Sequence, residues 1–282
     1  MMSKYLSFCF FSLLLSFCSL QNNFAQTYQA GVFLGASNYV GDLVPGMVAL
    51  NETNTAVGAY GQVGLHPYLS VRFTAMYGKI SGNDANHSKP QLKARNLSFN
   101  SSILEGSFQF MGHLLGGKRS FDPYVFAGIA GFRFNPKARY EGEWIDLQPL
   151  GTEGQELIFG GERKYKRFQM SIPMGGGIQF HTQQALTWGI EMGYRKTFTD
   201  YLDDVSTVYP NRALLLEANG ELAVALSDRS GELLDGGGFM EEGAERGGAD
   251  YKDGYFFIGI TAGLRLGAGE IGGRRGQGCY KF

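Results

Sequence analysis

The sequence predicts a small antiparallel transmembrane β-barrel of about eight strands, with short periplasmic turns and long outer loops. Three observations predict it. An apolar N-terminal leader marks the chain for export. Apolar residues alternate with small or polar ones in repeated segments. The connections between those segments alternate short and long. Successive side chains on a strand point to opposite faces, so alternation gives each segment one apolar face.

In the leader, Lys4 precedes an apolar run from Tyr5 to Leu20 broken only by Ser and Cys, and Asn23-Phe24-Ala25 follows. This is the layout of a signal peptide cleaved after Ala25. A lipoprotein reading would use Cys18, but the bulky Phe17 makes a poor lipobox. The expected organisation is a signal peptide over 1–25, a barrel over 26–268 and a periplasmic C-terminal tail over 269–282. Past residue 26 there is no run of about 18 apolar residues, so a membrane crossing has to be made by strands. The 282 residues include 42 glycines and 14% aromatics, which suits a crowded small barrel with aromatic interfaces. A formal net charge of −1 argues against nucleic acid as a partner.

The first segment, 28–38, sets Ala30, Val32 and Leu34 against Gly31, Gly35 and Ser37. The second, 56–65, sets Val57, Ala59 and Val63 against Gly58, Tyr60 and Gln62. The third, 69–80, sets Leu69, Val71, Phe73 and Tyr77 against Ser70, Arg72 and Thr74. In the fourth, 96–112, Leu104, Phe108 and Phe110 oppose Glu105, Ser107 and Gln109. In the fifth, 123–137, Tyr124, Phe126, Phe132 and Phe134 form the apolar face, expected outward, and Arg133 the inner one. In the sixth, 167–180, Phe168, Met170, Met174 and Ile178 oppose Gln169, Ser171 and Gly175. The seventh, 188–198, sets Trp188, Ile190, Met192 and Tyr194 against Glu191, Gly193 and Arg195. The eighth, 254–266, sets Phe256, Ile258, Ile260 and Leu264 against Gly259, Thr261 and Arg265.

The short links are 66–68, 114–121 and 181–185; the long ones are 41–55, 81–93, 138–165 and 201–253. Short periplasmic turns and long outer loops put both termini in the periplasm. Within the longest loop, the Ala- and Leu-rich 211–226 predicts a short helix. The acidic, Gly-rich 228–253 reads equally as a functional loop or a mobile one.

With the polar parity inward, the lumen receives Arg72, Glu105, Arg133, Glu191, Arg195 and Arg265. Strand adjacency pairs Arg72 with Glu105 and Glu191 with Arg265. An eight-stranded barrel is filled by side chains, so these charges are expected to plug it; a narrow ion path is the alternative. Of His66, His87, His113 and His181, none lies beside a Ser with a carboxylate partner at an outer strand end. No metal spacing or nucleophile elbow occurs, so neither an enzyme nor a cofactor is expected. Asp200, Asp203 and Asp204 could hold calcium or lipid headgroups through a divalent ion, but are expected to be a solvated loop start. Cys9 and Cys18 fall in the leader, leaving Cys279 as a candidate for an intermolecular disulfide in the oxidising periplasm, or an inert thiol.

Several blocks then carry a resemblance: Ser37–Leu43, Tyr77–Gly82, Arg95–Phe99, Phe134–Ala138, Glu143–Gly154 and Gly193–Ser206. Together, and in this order, they resemble the PorG family of the type IX secretion system. Arg274-Arg275 and Cys279–Phe282 are similar to that family's basic, cysteine-bearing tail. The resemblance implies an outer-membrane barrel tying a periplasmic ring, built from a PorK-like lipoprotein and a PorN-like protein, to outer-membrane lipid. It implies an anchor and not the translocon. A disulfide from Cys279 would then reach the ring lipoprotein. The block holding Trp144 and Asp146 lies in an outer loop; it is expected to cap the barrel with Trp144 buried, or else to meet another outer-membrane subunit. Asp200, Asp203 and Asp204 share that loop-cap or contact role. The alternative is a general barrel of the OmpW or OmpA type that binds lipid or a small hydrophobic solute.

Overall fold

A computed structural model describes residues 27–46, 49–117, 119–157, 163–182, 185–233, 238–248 and 251–266. The expected leader, the tail and Cys279 lie outside these residues. The strands are β1 Thr27–Val40, β2 Asn54–His66, β3 Leu69–Asn83, β4 Ser98–His113, β5 Phe121–Tyr140, β6 Glu143–Asp146, β7 Phe168–His181, β8 Leu186–Thr197 and β9 Gly254–Leu266. Eight of them follow the order β4-β3-β2-β1-β9-β8-β7-β5, and β4 pairs with β5 to close the sheet into a barrel. Every pairing is antiparallel. The ninth strand, β6, folds back on the outer end of β5. Closure leaves no free edge at membrane depth, where unpaired backbone groups cannot be satisfied. No helix of the described residues is long and apolar enough to cross a membrane.

The outward parity is apolar on every barrel strand. Leu34 is 64% exposed, Ile129 61% and Ile260 59%. Such a continuous belt fits lipid and would be costly against water. Tyr28, Tyr68, Phe121 and Trp188 ring the short-turn end, with Trp188 stacked on Phe180 at 4.3 Å between centroids. Aromatic girdles of this kind mark membrane interfaces.

Strand β5 departs from the expected facing. Tyr124, Phe126, Phe132 and Phe134 are buried inward, and Arg133 is exposed on the outer wall. The cause lies in strands β7 and β8, which present glycines to the lumen. A Cβ on Gly175 or Gly193 would lie 2.7 or 2.6 Å from the Phe126 ring, and one on Gly177 would lie 2.6 Å from the Tyr124 hydroxyl. The missing side chains on β7 and β8 are the space that the β5 aromatics fill. Arg133 stands level with Leu104 and Phe168 toward the outer rim, where a long cationic side chain can reach the headgroups.

The long connections build a cap over the outer mouth. It contains helices α1 Pro90–Arg95, α2 Arg212–Asn219 and α3 Glu221–Ser227. The expected helix over 211–226 is thus two. Asn211 caps the first by accepting from the N–H groups of Ala213 and Leu214. Gly220, at φ 85°, breaks the chain between them. The largest apolar cluster runs from the upper lumen into the cap and includes Tyr39, Leu43, Phe99, Phe134, Leu202 and Phe257.

Candidate functional site: a filled lumen beneath a buried polar cap

At mid-barrel, Arg72 on β3 pairs across the lumen with Glu191 on β8. Tyr124 donates to the same Glu191 oxygen at 2.6 Å, and Arg72 Nε donates to Gln62 Oε1 at 3.2 Å. The Arg72 guanidinium lies 4.4 Å from the Tyr60 ring centroid. A second unit sits toward the outer side. Arg195 binds Glu105 at 3.1 Å, Tyr255 donates to Glu105 at 2.7 Å, and Arg195 Nη1 donates to the Gly193 carbonyl at 2.6 Å.

The charges are those the sequence supplies, but the partners are exchanged. Arg72 stands opposite Gln109 on β4, whereas Glu105 stands opposite Met76. That offset is roughly 13 Å along the strands. Glu191 faces Gly259 on β9, whereas Arg265 faces Gln29 near the periplasmic end and donates to the Thr182 carbonyl at 3.2 Å. A narrow barrel brings opposite walls closer together than adjacent strands out of register. Arg133, being outside, joins neither pair.

The periplasmic end holds a constellation that the sequence reading missed. His113 Nε2 lies 2.8 Å from Ser70 Oγ, and His113 Nδ1 lies 2.9 Å from Asp122 Oδ2. Gln62 donates to Ser70 Oγ at 3.0 Å, so the serine hydrogen is left for His113. The three residues sit at the ends of β3, β4 and β5 beside short turns, and that common position was the available signal. Ser70 is only 2% exposed, and the chain of bonds ties three strands together below the ion pairs.

In the cap, the Tyr39 hydroxyl lies 2.7 Å from an Asp203 oxygen and 2.6 Å from an Asp253 oxygen. Asp204 accepts from Tyr165 at 2.6 Å and from Thr152. Asp200 accepts from Ser206 at 2.8 Å. Arg246 pairs with Glu153 at 2.9 Å and donates to the Asp204 carbonyl at 2.6 Å. Glu153 also accepts from the N–H groups of Ser206 and Thr207. Arg95 grips Asp84 through two bonds of 2.8 and 2.7 Å and reaches the carbonyls of Asp42 and Arg246. The expected solvated loop start is therefore wrong: Asp200, Asp203 and Asp204 are all buried. Burial pushes Asp200 and Asp204 up to about 6, in Asp204 against the opposing pull of Arg246. Burial also holds Asp203 and Asp253 well above the usual carboxylate range; nearby Asp42 adds to this at Asp203, and Asp203 adds to it at Asp253.

Trp144 does not seal this cap. It is 55% exposed, because on β6 it pairs with the outward Arg139, while its neighbour Ile145 pairs with the inward Ala138. Leu147, Phe134 and Tyr165 close the mouth, with Tyr165 stacked between Phe134 and Tyr201. Asp146 binds Lys137 at 2.9 Å and Asn135 at 3.1 Å on the rim. Among the described residues, no three His, Cys, Asp or Glu side chains are grouped to hold a metal ion.

The profile of a family described as "Domain of unknown function (DUF6089)" matches residues 8–215. No curated protein matches the sequence. Among solved structures, the chain is similar to Ail, the attachment invasion locus protein of Yersinia pestis. Identity is 9% and the TM-score 0.41, over 86% of this chain and 100% of that one. It is also similar to OprG of Pseudomonas aeruginosa, with 9% identity and a TM-score of 0.38, over 86% of this chain and 97% of that one. The neisserial surface protein NspA gives 6% identity and a TM-score of 0.38 over the same shares.

Proposed function

The chain belongs to the DUF6089 family, and from that premise we propose that it is a non-enzymatic outer-membrane barrel of the type IX secretion system. It anchors the periplasmic ring of PorK-like and PorN-like proteins to the membrane. The observation that carries this reading is the convergence of the blocks on which the resemblance rests. Tyr39 and Asp42 of the first, Gly82 of the second, Arg95 and Phe99 of the third, Phe134 of the fourth, Thr152 and Glu153 of the fifth, and Asp203 and Asp204 of the sixth close on one another in the cap. Blocks far apart in sequence that build one structural unit support a likeness of the whole unit over a chance match of segments.

The apolar belt supports residence in the outer membrane. The lumen, filled by two ion pairs and their tyrosines, supports an anchor over a conduit, and leaves little room for the hydrophobic solute of an OmpW-type barrel. In this reading the ring is met on the periplasmic side, where Cys279 is expected to offer a disulfide to the ring lipoprotein.

Affinity purification from native membranes in mild detergent, with and without reductant, tests the reading. Ring proteins should co-purify, and a cross-linked species should vanish in Cys279→Ser. Recovery of the barrel with lipid alone would leave the OmpW- or OmpA-type reading in its place. For the non-enzymatic part, a fluorophosphonate probe should leave Ser70 unlabelled; labelling that disappears in His113→Ala would make it a nucleophile.

A further inference from the structure

We infer that the outer cap carries a proton-binding site shared by Asp203 and Asp253, and that loss of this proton as pH rises loosens the cap. The inference is independent of the anchoring role. It follows from counting hydrogens around one oxygen. The Tyr39 hydroxyl lies 2.7 Å from Asp203 Oδ2 and 2.6 Å from Asp253 Oδ1, and it accepts the Asp42 backbone N–H at 3.1 Å. A phenol has one hydrogen, which serves one carboxylate. The second carboxyl oxygen, at the same close range, has to supply a hydrogen of its own. The two acids are equivalent in their remaining bonds: Asp203 Oδ1 accepts the Val205 N–H at 2.9 Å and Asp253 Oδ2 accepts the Leu202 N–H at 2.9 Å. The proton therefore belongs to the pair and not to either residue.

The surroundings favour keeping it. The charged and titratable groups facing the pair are Tyr39 from β1, Asp42 from the β1–β2 connection, Arg95 at the end of α1, Tyr165 ahead of β7, Tyr194 on β8, and Asp200. Lys252, which directly precedes Asp253 in the chain, acts on Asp200. Arg95, the cation of this set that acts on Asp203, is committed to Asp84 through two bonds. Both carboxyls are held above their ordinary range by burial. Their contribution to stability is thus complete below the unfolded value of about 4 and is lost as pH rises through the folded value. The pair links the ends of β1, β8 and β9, so its ionisation acts where three strands leave the barrel.

The test uses the full chain in lipid nanodiscs. Infrared difference spectra should show the carbonyl stretch of a buried protonated carboxyl in the wild type at neutral pH, absent in Asp253→Asn. Asparagine there keeps a hydrogen donor without charge. Hydrogen exchange at the Leu202 and Val205 amides, corrected for intrinsic rates, should lose about tenfold or more of its protection in the wild type as pH is raised through the point where the carbonyl band disappears. It should stay nearly constant in Asp253→Asn. The inference is overturned if the wild type lacks the protonated band, or if the variant follows the same pH course as the wild type. Should Asp253→Asn not fold, Asp203→Asn takes its place, and the wild-type band decides by itself.

Discussion

The lumen and the cap are both buried and polar, yet they neutralise charge by different means. In the lumen Arg72 and Arg195 each have a carboxylate, and each of those carboxylates has a tyrosine hydroxyl: Arg72 and Tyr124 on Glu191, Arg195 and Tyr255 on Glu105. In the cap, Asp42, Glu153, Asp200, Asp203, Asp204 and Asp253 gather around Arg246 and an Arg95 already held by Asp84. The membrane-level layer is balanced by fixed charges, because an unpaired ion there has neither water nor a proton at hand. The cap, closer to water, makes up its deficit of cations with protons. The lumen should accordingly be sensitive to mutation and indifferent to pH, and the cap should respond to both.

The largest effect is expected from Arg195→Ala, which strands Glu105 in the barrel and should cost about 3–5 kcal/mol. Urea unfolding in micelles would measure it, and removing both charges with leucine should restore most of the loss. Arg246→Ala should cost less, about 2–3 kcal/mol near pH 8 and clearly less near pH 5, because the released carboxylates can take up protons. The sign follows from Asp204. Its folded value of about 6 lies above its ordinary one, so its contribution is complete at low pH and is lost as pH rises through that value. Equal costs at both pH values would erase the distinction between the two layers. Gly193→Ala, pressed against the Phe126 ring and Arg195, should cost about 1–3 kcal/mol by overpacking at either pH. Trp144→Ala should change stability by no more than about 0.5 kcal/mol, as an exposed side chain; loss of a co-purifying subunit in that variant would make Trp144 a contact.

The wall was legible in the sequence and its interior only partly so. A two-residue period with alternating short and long links gives all eight barrel strands and the facing of seven of them, because period and turn length are local properties. Partners across the lumen depend on register and shear, which Arg72 and Glu191 do not encode locally. The reversed facing of β5 needed the glycines of two other strands to be read together with it: Gly175, Gly177 and Gly193 are the hollow, and Tyr124 and Phe126 are what fills it. The cap was least legible. Asp203 and Asp204 look like loop solvent groups until Tyr39 of β1 and Thr152 and Tyr165 of the β6–β7 connection are brought onto them.

The most direct test of an occluded, ion-paired barrel is planar-bilayer recording of the purified full chain at neutral pH. The filled lumen predicts no large steady conductance, with current appearing only when Arg72 or Arg195 is removed. A large, steady conductance in the wild type would contradict it.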